Sequence, residues 1–417
     1  MLKQQKIFFD FLRFCIGSAK EIPGSLKEVD WKELYAIAKK QCLVGILFDG
    51  IQKLPPTEVG MSKDLLLQWM MQCQMLEKAN VRLNDAAIQV SEWFRKKGFR
   101  TCILKGQGNA LMYPNSYSRT PGDIDIWVEG GDKRVISFVR SISPHEKACY
   151  HHIEFPSYKG VEVEVHYRPS FLLCFWHNRK LQKYYERVKE EQFSHRVMLG
   201  EQGKIAIPTV EFNLIFQLTH IYAHLMNEGI GLRQLLDYYY VLCDFYKVYQ
   251  KSSKITPSLF TLKEGSTSHP DPLSSGAREK TALRCSEPLR YKDGGPSKVS
   301  PDCAGWDRLG VVQKELKELG LWKFAGAIMY IMQVVFGMPA SQLIVPSNEK
   351  YGKFVLNEVL EAGNFGKHDA RNRFGRSQLG HNLQRVYRDM RLVRYFPAEA
   401  LSEPLFRGWH FFWRKSR

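Results

Sequence analysis

Two short runs carry the residues whose types and spacing suggest chemistry. In Gly122-Asp-Ile-Asp-Ile-Trp-Val128 two carboxylates stand two residues apart within a strictly alternating sequence. On a strand, residues two apart point to the same side. Asp123 and Asp125 would then share one face, and Ile124, Ile126 and Val128 the other. Adjacent carboxylates raise each other's pKa unless a cation lies between them. Mg²⁺ resolves that repulsion with oxygen ligands and also holds nucleotide phosphates. An isolated Asp-X-Asp is equally the mark of an edge strand with two solvated aspartates. The second run, Val161-Glu-Val-Glu-Val-His166, changes the balance: its valines make one face, and Glu162, Glu164 and His166 make the other. If the two strands are neighbours in one sheet, three carboxylates can hold two Mg²⁺ ions about 3.5–4 Å apart, the arrangement of in-line phosphoryl transfer. The spacing does not choose between Glu162 and Glu164, which face the same way. The plain alternative is the polar outer face of an antiparallel sheet.

Further residues join this set with weaker signals. Leu104-Lys-Gly-Gln-Gly-Asn-Ala110 follows a strand pattern and opens a short helix. Gly106 and Gly108 would let the backbone approach a phosphate at exposed helix N–H groups. Lys105 and Arg119 would add cationic contacts to a triphosphate. The run matches neither GxGxxG nor the Walker A loop, and a simple strand-to-helix turn explains it as well. His220 and His224 stand four apart on a helical pattern and share a face. That spacing suits zinc, yet Ile221 replaces the glutamate such helices carry, and no third ligand is evident. Arg233 and Asp237, also four apart, read as an intrahelical ion pair or, following Gly229 and Gly231, as residues of the cleft.

The elements that must position these groups follow from periodicity. Residues 1–97 read as helical: Leu34, Ile37, Ala38 and Cys42 recur at helical spacing, as do Leu65, Leu66, Trp69, Met70 and Cys73. Ser91–Lys97 reads as the end of another helix, stopped by Gly98. Between 99 and 168 the period shortens to two. The pattern predicts strands at 100–104, 123–128 and 161–166, a weaker one at 149–155, and a helix over 132–142. Ser157-Tyr-Lys-Gly160 is the expected turn of a hairpin. Helical signals return over 210–249 and from about 311 to 335. The apolar segment 324–340 is too short to span a bilayer of about 20 helical residues and contains Gln333, so it reads as a buried core helix.

Between Gln250 and Gly305 the 56 residues include 10 Ser, 6 Pro and 5 Gly, the composition of a mobile insertion. The full chain of 417 residues is 44% apolar and 13% aromatic, enough to build cores in two or three domains. Its formal net charge is +17, which suits nucleotides, nucleic acid or an anionic membrane surface as partners. The tail from Lys350 to Arg417 alone holds 14 Lys or Arg against 6 Asp or Glu. Within it, Arg371, Arg373 and Arg376 follow the loop Gly363-Asn-Phe-Gly366 and are candidates to contact an acidic acceptor; a solvated basic tail is the plainer reading. Nine cysteines, with no CxxC pair, form neither a disulfide framework nor a zinc motif, and reduced cytoplasmic thiols fit them best. Lys6, Asp10 and Arg13 break the apolar N-terminus, which excludes a secretory signal there.

The segments Leu104-Lys-Gly-Gln-Gly, Tyr113-Pro, Arg119-Thr-Pro-Gly-Asp-Ile-Asp-Ile-Trp-Val128 and Glu164-Val-His166 resemble a largely uncharacterised family of bacterial nucleotidyltransferases in the DNA polymerase β-like superfamily. Some members stand beside polysaccharide loci. The similarity continues in Leu218-Thr-His-Ile-Tyr-Ala-His224, Gly229-Ile-Gly-Leu-Arg-Gln-Leu-Leu-Asp237 and Glu361-Ala-Gly-Asn-Phe-Gly366. It implies a small mixed sheet flanked by helices, with Asp123 and Asp125 as metal ligands and Glu164 as the third. The superfamily's usual Gly-Gly or Gly-Ser pair some ten residues before the aspartates is absent; its counterpart, Lys105-Gly106 with Gly108, lies further upstream. The resemblance therefore leaves the grip on the triphosphate, and the choice of nucleotide, open.

Taken together, the expectation is an α/β (α+β) protein, a small mixed sheet of polymerase β-like type embedded in a mostly helical chain. The expected regions are an N-terminal helical region (1–97), a catalytic core (98–200), a helical region (201–249), a flexible insertion (250–305) and a C-terminal helical region with a basic tail (306–417). The expected activity is Mg²⁺- or Mn²⁺-dependent transfer of a nucleotidyl group from an NTP to a hydroxyl, with release of pyrophosphate, in the cytoplasm. Asp123, Asp125 and Glu164 would be catalytic and hold the metal; Lys105, Gly106, Gly108 and Arg119 would bind the nucleotide; His166, His220, His224, Arg233 and Asp237 would line the cleft. Other readings are a toxin-like enzyme that modifies tRNA or protein, a non-catalytic nucleic-acid-binding module, and a scaffold in polysaccharide synthesis.

Overall fold

A computed structural model of the chain describes residues 3–55, 59–201, 203–253, 308–367, 369, 371 and 378–416. The expected insertion lies outside the described residues from 254 onward. The helices α1 (Lys3–Cys15), α2 (Trp31–Lys40), α3 (Val44–Ile51) and α4 (Lys63–Lys96) come first. They lead into β1 (Thr101–Ile103), α5 (Gln107–Ala110), β2 (Ile124–Val128), α6 (Gly131–Ile142), β3 (His152–Tyr158) and β4 (Val161–His166). After these come α7 (Phe175–Ser194), the hairpin β5 (Arg196–Leu199) and β6 (Gly203–Ala206), α8 (Val210–Asn227) and α9 (Leu232–Ser253). The C-terminal part is helical: α10 (Arg308–Glu318), α11 (Trp322–Val334), α12 (Glu349–Ala362), α13 (Gln378–Leu392) and α14 (Pro397–Lys415).

The fold is mostly helical with a small mixed sheet, as the patterning implied. The four-stranded sheet has the order β1-β2-β4-β3. β1 and β2 are antiparallel, β2 and β4 parallel, and β3 and β4 antiparallel. The β3–β4 hairpin turns at Lys159 and Gly160, both at positive φ (51° and 74°), the conformation a two-residue primed turn demands.

Two features differ from expectation. The apolar spacings around residues 65–73 and 91–97 belong to one helix of 34 residues rather than to two, because Ser62 caps it and no Gly or Pro interrupts it before Gly98. The hairpin β5–β6, which straddles position 200, and the 20-residue α7 gave no clear sequence signal. α7 mixes Lys, Glu and Gln among its buried Leu181, Tyr184 and Tyr185, which blurs an apolar stripe.

The sheet's two faces have different partners. Ile124, Ile126, Val128, Val161, Val163 and Val165 pack with Leu83, Val90 and Phe94 of α4 and with Val135 and Val139 of α6. Trp127, on the opposite face, stacks near Phe193 of α7 and Phe212 of α8, with centroids 4.6 and 5.9 Å apart. The alternation therefore sends the acidic side chains of β2 and β4 toward α8. Of the segment 324–340 expected as a core helix, α11 takes in the part up to Val334, with Phe324, Ile328, Met329 and Ile331 fully enclosed; the remainder leaves the helix through Gly337 at φ 71°. No described helix is long and apolar enough to cross a membrane.

Candidate functional site

Register builds the site. The parallel pairing of β2 with β4 sets Asp125 opposite Glu164. Asp123 immediately precedes β2 and, two residues before Asp125, keeps to the same face. One carboxylate oxygen from each of Asp123, Asp125 and Glu164 lies within 4.8 Å of the others. The sheet thus brings together both aspartates of the first alternating run and one of the two glutamates of the second. Glu164 rather than Glu162 joins the aspartates: it is half-buried beside Asp125, whereas Glu162 is exposed one pleat further out.

The cluster faces a cavity of about 580 Å³. Gln217, His220 and His224 of α8 form the wall opposite the sheet, and Arg385 of α13 with Glu403, Arg407 and His410 of α14 close a further side.

The electrostatics of the three acids are uneven. The negative charge of Asp125, and then burial, push Asp123 up to about 6. Burial pushes Asp125 up too, but Lys105 and the hydrogen bond from His166 outweigh it and hold this carboxyl well below its usual range. Lys105 Nζ lies 2.8 Å and His166 Nε2 3.0 Å from the same Asp125 oxygen. His166 Nε2 is also 3.3 Å from Glu164 Oε2. Burial opposes the charge on His166, yet the hydrogen bonds to Asp125 and Glu164 lift it to about 9. An imidazolium and an ammonium therefore temper three carboxylates that would otherwise repel.

Lys105 reaches the acids because Gly106, at φ 51°, turns the chain sharply between β1 and α5. Its Nζ also lies 3.1 Å from His220 Nε2, and His220 in turn stands 3.0 Å from His224 Nε2. Burial and the neighbouring Lys105 hold His220 well below the ordinary histidine range. Gly108 does not face the cavity: a Cβ there would come 3.1 Å from the Ile207 side chain, so its smallness serves packing.

Arg119 and Asp237 form a second cluster. They make a two-pronged ion pair with both contacts at 2.8 Å, and Tyr113 donates to Asp237 at 2.7 Å. Asp237 therefore pairs with Arg119 across the fold rather than with Arg233 along its own helix. Arg233 instead donates to the Thr120 carbonyl at 3.0 Å and sits 5.8 Å from the Phe365 ring.

The glycines of the α8–α9 turn explain why the two distant segments of the resemblance go together. A Cβ on Gly231 would meet Asn364 at 2.9 Å, and one on Gly366 would strike the Glu228 carbonyl at 2.0 Å. The 229–231 and 363–366 loops thus pack backbone against backbone. Arg371, expected to meet an acidic acceptor, is taken up by Asp369 at 2.7 Å and Glu358 at 2.9 Å. Arg373 and Arg376 lie outside the described residues.

Several cavity residues escaped sequence reasoning. His152 opens β3, a strand with weak alternation, and His151 immediately precedes it; only the antiparallel register that pairs His152 with His166 brings them to the acids. Arg385, Glu403, Arg407 and His410 lie far from the motifs and show no spacing that marks them.

The chain matches a family described as uncharacterised nucleotidyltransferase over residues 27–249. The match spans α2 to α9 and contains the whole carboxylate cluster, and the chain belongs to this nucleotidyltransferase family. No curated protein and no solved structure matches the chain.

Proposed function

We propose that the protein is a divalent-cation-dependent nucleotidyltransferase that moves a nucleotidyl group from an NTP to a hydroxyl acceptor. The observation that supports this most is the β2–β4 register, which gathers Asp123, Asp125 and Glu164 around a shared space on the wall of a large cavity. The donor set fits Mg²⁺ or Mn²⁺: three carboxylates and no thiol, the preference of hard cations. Asp123, Asp125 and Glu164 would hold the ions. Bound there, the cations would lower the pKa of the acceptor hydroxyl and neutralise the triphosphate.

The chain's own groups do the rest. Lys105, beside Asp125, offers an ammonium to a phosphate oxygen. Gly106 keeps the approach to the backbone open, while the Arg119–Asp237 pair stiffens the floor. In the reaction the acceptor oxygen attacks the α-phosphorus, and the bond from that phosphorus to the bridging oxygen breaks. Pyrophosphate leaves with the electron pair, and the hydroxyl proton passes to solvent. The arginines of the C-terminal wall, Arg385 and Arg407, suit an acidic acceptor.

The test is an acceptor screen with α-labelled NTPs and Mg²⁺ or Mn²⁺, run over sugars, RNA ends and protein side chains. Label transfer is expected with wild type and not with the Asp123→Ala, Asp125→Ala double variant. Equal transfer by both would overturn the reading. Nucleic-acid binding that is salt-sensitive but indifferent to cations and NTP would favour a non-catalytic binding module instead.

A further inference from the structure

The acids of the site are not its only metal-ligating groups. β3 and β4 run antiparallel with His152 opposite His166, so two imidazoles from neighbouring strands bracket Glu164. His152 Nδ1 lies 3.3 Å from Glu164 Oε2, and His166 Nε2 lies 3.3 Å from the same oxygen. One ligand atom from each of the three residues lies within 4.8 Å of the others. Tetrahedral ligands at bonds of about 2.0–2.1 Å stand roughly 3.3–3.4 Å apart, which both measured edges match.

We infer that His152, His166 and Glu164 form a second cation position with two nitrogen ligands and one oxygen ligand, selective for a transition ion such as Mn²⁺, Co²⁺ or Zn²⁺ over Mg²⁺. This rests on the reading of Asp123, Asp125 and Glu164 as the first cation position, with Glu164 shared between the two. Imidazole suits borderline transition ions, whereas Mg²⁺ keeps to carboxylate, phosphate and water oxygens.

The support around the ligands is of the kind metal-bound histidines have. His166 Nδ1 lies 3.3 Å from the Arg168 carbonyl, which directs Nε2 at the acids; on binding an ion this nitrogen would release the proton it shares with Asp125 and Glu164. His151 Nε2, 3.1 Å from His152 Nδ1, is the hydrogen-bond partner an ion would displace. With only three protein ligands the position stays open to an oxygen from solvent or acceptor, the pattern of catalytic rather than structural zinc sites.

The grouping of Cys174, His177 and Glu399 at the start of α7 makes a useful contrast. There Glu399 Oε2 already accepts from the Leu173 and Cys174 backbone N–H groups at 2.6 and 3.1 Å. Glu164 receives no such backbone hydrogen bond among those described.

The experiment is titration of the full chain with Mn²⁺, followed by electron paramagnetic resonance with pulsed detection of ¹⁴N coupling. Wild type is expected to show imidazole nitrogen coupled to bound Mn²⁺. His152→Ala and His166→Ala should each remove coupling and weaken one class of Mn²⁺ site at least tenfold, while an Asp123-dependent site persists. His166 is buried; if its variant fails to fold by circular dichroism, His152→Ala carries the test. Mn²⁺ bound without nitrogen coupling, and lost in Asp123→Asn, would overturn this inference and leave the carboxylate site standing. No Mn²⁺ binding by wild type would overturn both.

Discussion

Two acidic clusters share one cavity wall, and they are built in opposite ways. Around Asp237 the carboxylate is fully taken up: Arg119 grips both oxygens at 2.8 Å, Tyr113 adds a third contact, and Arg119 and Asp237 are both less than a tenth exposed. Around Asp125 the count does not close. Three carboxylates meet one ammonium and one imidazolium, and Asp123 responds by holding its proton up to about pH 6. The first arrangement leaves the carboxylate of Asp237 no open oxygen, although Arg233 beside it adds a second buried guanidinium. The second remains deficient in positive charge, which a divalent ion would supply.

Breaking the open cluster should have the largest effect. Asp125→Asn is expected to lower the rate of nucleotidyl transfer by roughly 10³-fold or more, since the loss of such a stabilising group costs several kcal/mol in the transition state. The folded protein should persist, as followed by circular dichroism beside single-turnover kinetics. Breaking the closed cluster should instead be felt in stability. Asp237→Ala strands the buried Arg119 charge and should cost about 3–5 kcal/mol in denaturant unfolding. A variant that unfolds like wild type but has lost transfer would make the closed cluster part of the chemistry, and the contrast would fail.

A subtler difference lies within the open cluster. The folded pKa of Asp123 is raised above its unfolded value, so this carboxyl favours the fold while protonated, and that contribution is lost as pH rises from about 4 through 6. Asp123→Asn, which stays neutral, should stabilise the metal-free protein at pH 7.5 by on the order of 2 kcal/mol, with the gain vanishing near pH 4. The carboxyl of Asp125 is depressed, and its charged form is held by Lys105 and His166. Asp125→Asn should therefore destabilise the metal-free protein at pH 7.5. Thermal melts of the two variants over that range check the opposite signs; equal signs would mean that the cluster's charges are not in conflict. The smallest effect belongs to Glu162→Gln. This exposed side chain should change stability by less than about 0.5 kcal/mol and leave transfer unaltered. Loss of transfer there would move the third acid from Glu164 to Glu162.

Much of this site is visible in the sequence because a strand's period of two is rigid. Once 123–128 and 161–166 alternate, their acids must share faces, and only the pairing of the strands remains to be supplied. That pairing chose Glu164 over Glu162 through register, which no single strand encodes. His152 became part of the site for the same reason, through its partner His166 on β4. Lys105 was legible as a cation near the acids, but its contacts with Asp125 and His220 depend on the turn at Gly106. Arg119 read as a free cation because nothing in its neighbourhood announces Asp237, 118 positions away. The long α4 shows two separate apolar spacings because its middle presents polar residues to solvent, which interrupts the apolar stripe without interrupting the helix. The C-terminal wall of the cavity was invisible: Arg385 and Arg407 belong to amphipathic helices whose patterns report burial but not what the polar face meets.

The most direct measurement needs no acceptor. Calorimetric titration of an α,β-methylene NTP analogue into wild type and into the Asp123→Asn, Asp125→Asn double variant, each with and without Mg²⁺ or Mn²⁺, asks whether the acids gather cation and triphosphate. The account predicts binding to wild type that requires the divalent ion and is lost in the double variant. Nucleotide binding of equal strength in both proteins, or binding to wild type that ignores the cation, would contradict it.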